Sequence, residues 1–559
     1  MATDHAVERS VELSAKVLRW IADDPDEDAA GRLRSLLDSA EAGDEAAAAE
    51  LAERFAGPLT FGTAGLRGPL REGPNGMNTA VVRRAAAGLA AQLIDAGKAG
   101  GIVVIGYDGR HGSQSFARDS AAIFAAAGFD ARLLPRMLPT PLLAFAVQRL
   151  GAVAGIMVTA SHNPPRDNGY KVYAGDGAQI VSPMDRGIEA HIRAVPSVRA
   201  IALAESFHTI DESLVSDYVN AIAGLVRPDT PRELDIVHTS MHGVGASVVR
   251  AVFAAAGFAA PVEVPEQAEP DPDFSTVAFP NPEEPGAMDL ALALARERHA
   301  DLIIANDPDA DRCAVGVPFP DAAGFSSDSA EWRMLRGDEV GALLADWLLR
   351  NGVRGTYATT IVSSTLLSSM AAKHGVPFAE TLTGFKWISR AAPDLVFGYE
   401  EALGYAVAPS LVRDKDGISA ALLIAELAAS LKAEGSSLPQ RLAELAAEYG
   451  LHTTRQLSWR LADVADISAA MSRLRGNPPA RLLSSAVTVI DLAPDNDVLI
   501  LRFSGGRVVV RPSGTEPKCK AYLELVLGAD AAADEAAREA QADRALSRLG
   551  DEVTTALAL

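Results

Sequence analysis

Gly155-Ile156-Met157-Val158-Thr159-Ala160-Ser161-His162-Asn163-Pro164-Pro165 decides how this chain is read. The apolar run at 155–158 reads as a buried strand, and Asn-Pro-Pro forces an abrupt turn after it. A serine on such a corner projects its hydroxyl away from the sheet, with His162 beside it. Upstream, 102–105 is another apolar run that ends in polar turn residues. Residues 113–128 have helical spacing and end on Gly, 131–134 read as a strand, and 141–150 as a helix. Strands alternating with helices imply a mostly parallel sheet, and loops at the strands' carboxyl ends hold ligands. Ser161 sits at such an end.

The alternation repeats twice. A second round has a strand at 234–237, helices at 245–257 and 289–300, and a strand at 302–305. A third has helices at 340–349 and 418–431 with a strand at 357–362. A polar stretch, about 205–232, separates the first two rounds, and the Pro/Glu-rich segment 261–285 reads as an excursion inside the second. The Ser-rich stretch 325–329 marks the next boundary. Residues 1–56 read as a helical packing extension: one helix ended by Pro25 and another over 45–55. After about 455 the grammar changes. Short strands at 487–490, 498–501 and 508–510 precede a long helix over 530–558, as in a small α+β domain.

Composition bounds the partners. The 559 residues suggest about three to four domains. At 48% hydrophobic and 22% charged, the chain can bury a large core. A net charge of -22 argues against nucleic acid or anionic membrane as a main partner, yet leaves room for a local basic pocket that takes a phosphorylated substrate. Two cysteines, Cys313 and Cys519, give no disulfide framework and no Cys-based zinc spacing. There is no basic-then-apolar start and no apolar run of about 18 residues, so a cytoplasmic location is the default expectation.

Six further stretches carry candidate chemistry. Phe61-Gly62-Thr63-Ala64-Gly65-Leu66-Arg67-Gly68 is a glycine-rich loop with Arg67 as its one charge. Asp307-Pro308-Asp309-Ala310-Asp311-Arg312 alternates carboxylates, which converge on one hard cation or remain a solvated acidic turn. The spacing suits Mg²⁺; the EF-hand pattern would need a later Gly and Glu that 315–317 do not supply. Thr383-Gly384-Phe385-Lys386-Trp387 sets one cation between aromatics. Gly398-Tyr399-Glu400-Glu401-Ala402-Leu403-Gly404 places carboxylates, acceptors for paired sugar hydroxyls, between glycines. Arg413-Asp414-Lys415-Asp416-Gly417 sets a lysine among acids before an apolar helix, where it relays a proton only if desolvation lowers its pKa. Arg511-Pro512-Ser513-Gly514-Thr515 joins a guanidinium, two hydroxyls and a glycine, the parts of an anion site.

Taken jointly and in this order, these motifs resemble the α-D-phosphohexomutase superfamily, the phosphoglucomutases and phosphomannomutases. The resemblance spans about 60–520. It implies an α/β fold of four domains around a central cleft, three mixed-sheet α/β domains and a smaller C-terminal α+β domain. The expected ranges are a helical extension at 1–56, then 57–215 with the phosphoserine loop, 216–325 with the metal loop, 326–452 with the sugar loop, and 453–559 with the phosphate loop. It further implies that Ser161 carries phosphate and that Asp307, Asp309, Asp311 and the serine phosphate hold Mg²⁺. Arg511, Ser513, Gly514 and Thr515 would clamp the idle phosphate. Glu400 would read sugar hydroxyls, with Thr383 and Gly384 close by. Arg67, His162, Lys171, Arg312, Lys386 and Lys415 would line the cleft, with His162 and Lys415 as acid/base candidates.

The implied reaction interconverts glucose 1-phosphate and glucose 6-phosphate through a bisphosphorylated intermediate, with glucose 1,6-bisphosphate as activator. The expected partner is a small phosphosugar, and the expected state monomer or homodimer. The segments 274–285 and 167–173 resemble a branch that includes enzymes of glucose and pentose phosphates and makers of glucose 1,6-bisphosphate. The alternatives are therefore phosphomannomutase, phosphopentomutase and bisphosphate synthase. From a different class, a catalytically silent sugar-phosphate-binding protein is opposed by the intact Ser161 and aspartates. One departure stands out: Ala402 occupies a place where the family often has Ser, which removes a sugar contact.

Overall fold

The strands that feed the serine turn and the acidic loop, Ala154–Val158 and Leu302–Ala305, are apolar runs closed by a turn. The computed structural model describes residues 2–63, 65–319, 331–461, 463–512, 518–528 and 535–559. Ser513, Gly514 and Thr515 lie outside these, as does the Ser-rich stretch 325–329. The chain divides into two compact units, 1–334 with 404–429 and 335–403 with 430–559. Among the described residues no helix is long and apolar enough to cross a membrane.

The first unit opens with three helices, Ala2–Asp23, Glu27–Glu41 and Glu45–Arg54. The middle one is an addition to the two read from the sequence. Asp26 caps it by accepting from Ala29 N at 3.0 Å, and its Leu33 and Leu37 join Val17 and Leu51 in a small core. A cap of this kind is worth about 1 kcal/mol.

The first sheet runs in the order Leu66–Pro69, Asp167–Ala174, Ala154–Val158, Ile102–Tyr107, Asp130–Leu133, His208–Thr209. The last four strands pair in parallel; Asp167–Ala174 adds antiparallel to Ala154–Val158, and Leu66–Pro69 adds antiparallel to Asp167–Ala174. The loop 159–166 is too short for a crossover helix, so the chain returns antiparallel. The polar stretch 205–232 is more ordered than its composition suggests. It supplies the edge strand His208–Thr209 and the helix Ser213–Ala223, whose Leu214, Tyr218 and Ile222 form a buried stripe.

The second sheet has the order Glu331–Met334, Ala314–Phe319, Leu302–Ala305, Ile236–Thr239, Val262–Glu263. Its last three strands are parallel, and Ala314–Phe319 is antiparallel to both neighbours.

In the second unit, Phe378–Thr381, Thr356–Thr360 and Leu395–Glu400 form parallel pairs. The closing sheet is wholly antiparallel: Leu451–Arg460, Lys518–Leu527, Gly506–Pro512, Leu499–Phe503, Thr488–Asp491. Its two faces alternate along each strand. Leu501, Val508, Val510 and Leu523 pack with Leu549 of Glu535–Leu557 and Leu474 of Val464–Gly476. Ile500, Val509 and Tyr522 face the other way, onto Ile361 and Val362. The strands Leu451–Arg460 and Lys518–Leu527, which pair along their whole length, are additions to the sequence reading.

Candidate active site

Ser161 follows the strand Ala154–Val158 and has a left-handed backbone, φ +51°. Such a conformation is uncommon outside glycine and persists only where the surroundings enforce it. Two groups do so. Thr159 Oγ1 accepts from Ser161 N at 2.8 Å. Arg110 donates to four backbone carbonyls of the loop: Pro164 at 2.8 Å, Asp167 at 3.1 Å, Asn163 at 2.6 Å, and Ser161 itself. The Arg110 guanidinium lies 4.8 Å from the ring centre of Phe274, which the Pro/Glu-rich excursion brings in.

The hydroxyl is thereby aimed at the acidic loop. Ser161 Oγ donates to Asp307 Oδ2 at 2.7 Å and lies 3.2 Å from His162 Nδ1. Burial, with the Arg312 and Arg67 guanidiniums nearby, holds the His162 imidazole well below its usual pKa, so it is neutral at neutral pH. Arg67 Nη1 donates to Asn163 Oδ1 at 3.0 Å, across the base of the same loop.

The acidic loop follows the strand Leu302–Ala305, and its three carboxylates are fully buried. One oxygen from each of Asp307, Asp309 and Asp311 lies within 4.8 Å of the others. Lys171, from Asp167–Ala174, reaches Asp309 Oδ2 at 2.7 Å and Asp311 Oδ2 at 2.9 Å. Lys415 Nζ lies 3.2 Å from Asp311 Oδ2. Thr140 Oγ1 donates to Asp309 Oδ2 at 2.5 Å. Burial opposes the charge of Lys171, but Asp309 and Asp311 outweigh it and keep the ammonium protonated. Burial would likewise raise Asp311, yet Lys171, Lys415 and Arg312 hold it below the usual carboxylate range. Burial, Asp311 and Asp309 push Asp307 well above that range, against the opposing charge of Arg312.

Close packing fixes the loop. A Cβ on Gly243 would lie 2.4 Å from Pro308 Cα, and one on Gly417 would lie 2.1 Å from Arg312 O. The 413–417 loop is pinned as well: Asp414 Oδ2 accepts from Tyr173 OH at 2.8 Å, and Asp416 Oδ1 from Tyr218 OH at 2.9 Å.

A divalent cation fits this donor set. Asp309 Oδ1 and Asp311 Oδ1 are buried with no hydrogen-bond partner. Unpartnered carboxylate oxygens in a dry site are costly, and a hard ion satisfies them. The first unit thus brings Ser161, His162, Arg67, Lys171, Arg312, Lys415 and the three aspartates to one place.

The second unit holds the remaining candidates. Gly384, φ +107°, precedes the short helix Phe385–Ile388 that carries Lys386, and Thr383 lies just before it. Glu400 ends the strand Leu395–Glu400. Its neighbour Glu401 accepts from Ser363 Oγ at 3.1 Å and Thr360 Oγ1 at 3.3 Å. Arg511 is the penultimate residue of the strand Gly506–Pro512.

Arg110, Thr140 and Asn306 are site residues that the sequence reading did not single out. The available signal was position: Asp108-Gly109-Arg110 follows the strand Ile102–Tyr107 at the same sheet end as Ser161.

Family comparison agrees with this arrangement. Models of the phosphoglucomutase/phosphomannomutase α/β/α domains I, II and III match residues 58–199, 216–318 and 336–449, and that of the C-terminal domain matches 459–542. A relative from Haemophilus influenzae named "Probable phosphomannomutase" is 45% identical over 461 residues, 80% of this chain and 93% of its own.

The chain belongs to the phosphoglucomutase/phosphomannomutase family.

It is thus a phosphomutase, an isomerase that transfers a phosphoryl group, and its fold is the family's three α/β domains with a smaller C-terminal domain. The human phosphopentomutase is 38% identical over 538 residues, 85% of this chain and 86% of that protein. Among solved structures of the family, a Thermus thermophilus protein described as a "putative phosphomannomutase" superposes with TM-score 0.70 at 27% identity. That superposition covers 89% of this chain and 99% of the other.

Proposed function

We propose that this phosphomutase interconverts glucose 1-phosphate and glucose 6-phosphate through phospho-Ser161 and glucose 1,6-bisphosphate. The observation that carries the reading is the 2.7 Å contact of Ser161 Oγ with a buried carboxylate trio whose free oxygens fit a divalent ion. Asp307, Asp309, Asp311 and a phosphate oxygen on Ser161 would hold Mg²⁺. The bound ion would offset the charge of about -1.5 to -2 on a phosphoserine and steady the transferring phosphoryl group.

The chain's own residues position and move protons. Phospho-Ser161 gives its phosphoryl group to the free sugar hydroxyl; the bond from phosphorus to Ser161 Oγ breaks as the bond to the sugar oxygen forms. His162, held neutral, accepts the hydroxyl proton. Lys415, beside Asp311, is the companion acid that protonates the departing serine oxygen. The bisphosphate then turns over and returns its other phosphate to Ser161. Glucose 1,6-bisphosphate primes the cycle by phosphorylating the serine. Arg67 and Arg312 take substrate oxygens, while Lys171 chiefly neutralises the trio it touches. Glu400, with Thr383, Gly384 and Lys386, reads the sugar; Arg511 with Ser513, Gly514 and Thr515 clamps the phosphate not in transfer.

A pentose substrate has its own support. A relative at 38% identity is named phosphopentomutase, and Ala402, where the family often has Ser, leaves the choice of sugar open. Measuring kcat/KM on glucose, mannose, ribose and deoxyribose 1-phosphates, each with its bisphosphate activator, decides between them. The glucose reading expects the highest value on glucose 1-phosphate; a higher value on a pentose or on mannose overturns it.

A further inference from the structure

Behind the acidic loop lies a line of polar residues that the proposed chemistry does not use. Asn306 joins the strand Leu302–Ala305 to the loop, and its Nδ2 donates to Arg312 O at 2.6 Å, tying the two ends of the loop together. Held that way, Asn306 Oδ1 faces His238 Nε2 at 2.9 Å. The other ring nitrogen, Nδ1, lies 2.7 Å from Glu263 Oε2. His238 is wholly buried on Ile236–Thr239, and Glu263 ends the neighbouring strand Val262–Glu263.

Both partners of the ring are acceptors, an amide oxygen and a carboxylate oxygen. Reversing the amide would set Asn306 Oδ1 against the Arg312 carbonyl, two acceptors at hydrogen-bond distance, and would break the tie across the loop. With the amide held by Arg312 O, the contact at Asn306 Oδ1 is satisfied when the ring donates from Nε2. The loop end so held is a crowded place: a Cβ on Gly417 would lie 2.1 Å from Arg312 O and 2.8 Å from Asn306 Nδ2.

We propose that His238, set between Glu263 and Asn306 with Nε2 as the donor to Asn306 Oδ1, is a positioning residue for the metal loop. Its donation to Asn306 Oδ1 fixes the amide that clamps Arg312 O, and the clamp sets the spacing of Asp307, Asp309 and Asp311. The inference rests on the reading of that trio as a divalent-cation site and is independent of the sugar. Residues placed behind metal ligands typically contribute about 10–100-fold to metal affinity.

The test is Mg²⁺ titration calorimetry, with Mn²⁺ paramagnetic resonance as a second probe, on the full chain and its variants. His238→Leu removes the donor, and affinity should fall about 10–100-fold. His238→Gln restores an N–H at the place of Nε2 and should recover most of the loss. Unchanged affinity in His238→Leu, or equal loss in both variants, overturns the positioning role. Wild-type protein that binds neither ion removes the metal reading itself and this inference with it. Nitrogen-15 spectra of the wild-type histidines need no variant to fold: Nε2 of His238 should carry a proton, and a bare Nε2 overturns the proposal.

Discussion

Ser161 Oγ and Asp307 Oδ2 lie 2.7 Å apart although 146 positions separate them in the chain. The contact joins the turn after one strand of the first sheet to the turn after a strand of the second. Asp307 is also the member of the trio that burial and its two acidic neighbours push well above the usual range. Removing its charge should therefore cost function more than fold. In Asp307→Asn, phosphoryl transfer from Ser161 should fall by about 10²–10³-fold, the scale for losing one electrostatic stabiliser. The thermal midpoint should not drop. Single-turnover transfer and a melting curve on the same preparation check both halves; a large drop in melting point would assign Asp307 a structural role instead.

A Cβ at position 417 would meet Arg312 O at 2.1 Å, in a loop already tied to Tyr173 and Tyr218. Gly417→Ala should displace the acidic loop or the Lys415 loop. Strain of this kind costs about 1–3 kcal/mol. The expected result is a lower kcat with a smaller change in KM, together with a lower urea midpoint. Wild-type kinetics in that variant would contradict the packing described.

The serine turn and the acidic loop were legible because each is a short local signature at a strand's end. Arg110 was not. A lone arginine in a turn is ordinary, and its importance lies in carbonyls at 161–167 that only the tertiary fold brings near. The same holds for Gly243, which looks like any loop glycine until Pro308 packs on it. Asp167–Ala174 was read as a motif and is also a strand, since its antiparallel return depends on loop length rather than on periodicity. The helix Ser213–Ala223 was hidden by the polar residues around its narrow apolar stripe.

Arg507 joins the third α/β domain to the C-terminal domain within the second unit. It donates to Glu524 Oε2 at 2.9 Å and to Glu380 Oε1 at 2.7 Å. Glu524 Oε1 in turn accepts from Thr365 N at 2.6 Å and Ser364 Oγ at 3.0 Å. Arg507→Met strands the buried Glu524, and breaking a buried pair from one side costs about 3–5 kcal/mol. Urea unfolding should show that loss. The double variant Arg507→Met/Glu524→Gln should recover part of it, and absence of any recovery would show that the charge pairing is not the cause.

Burial, Glu400 and Asp338 push the Glu401 carboxyl up to about 7, from 4.5 when free. The folded state thus holds this proton more tightly than the unfolded chain. Its contribution to stability is complete below 4.5 and is lost as pH rises to about 7. Glu401→Gln should flatten that part of the profile, read as urea midpoints across the interval. A variant whose profile still falls as steeply as the wild type's would show that other groups cause the decline.

Phosphorylation of one hydroxyl is the most direct test. Purified protein is incubated with glucose 1,6-bisphosphate and Mg²⁺, its intact mass is measured, and the modified residue is located by peptide mapping. A phosphomutase working through Ser161 gains one phosphoryl group at that residue, gives it up on addition of glucose 1-phosphate, and gains none as Ser161→Ala. No gain in the wild type, or a phosphate located on any other residue, would contradict the mechanism.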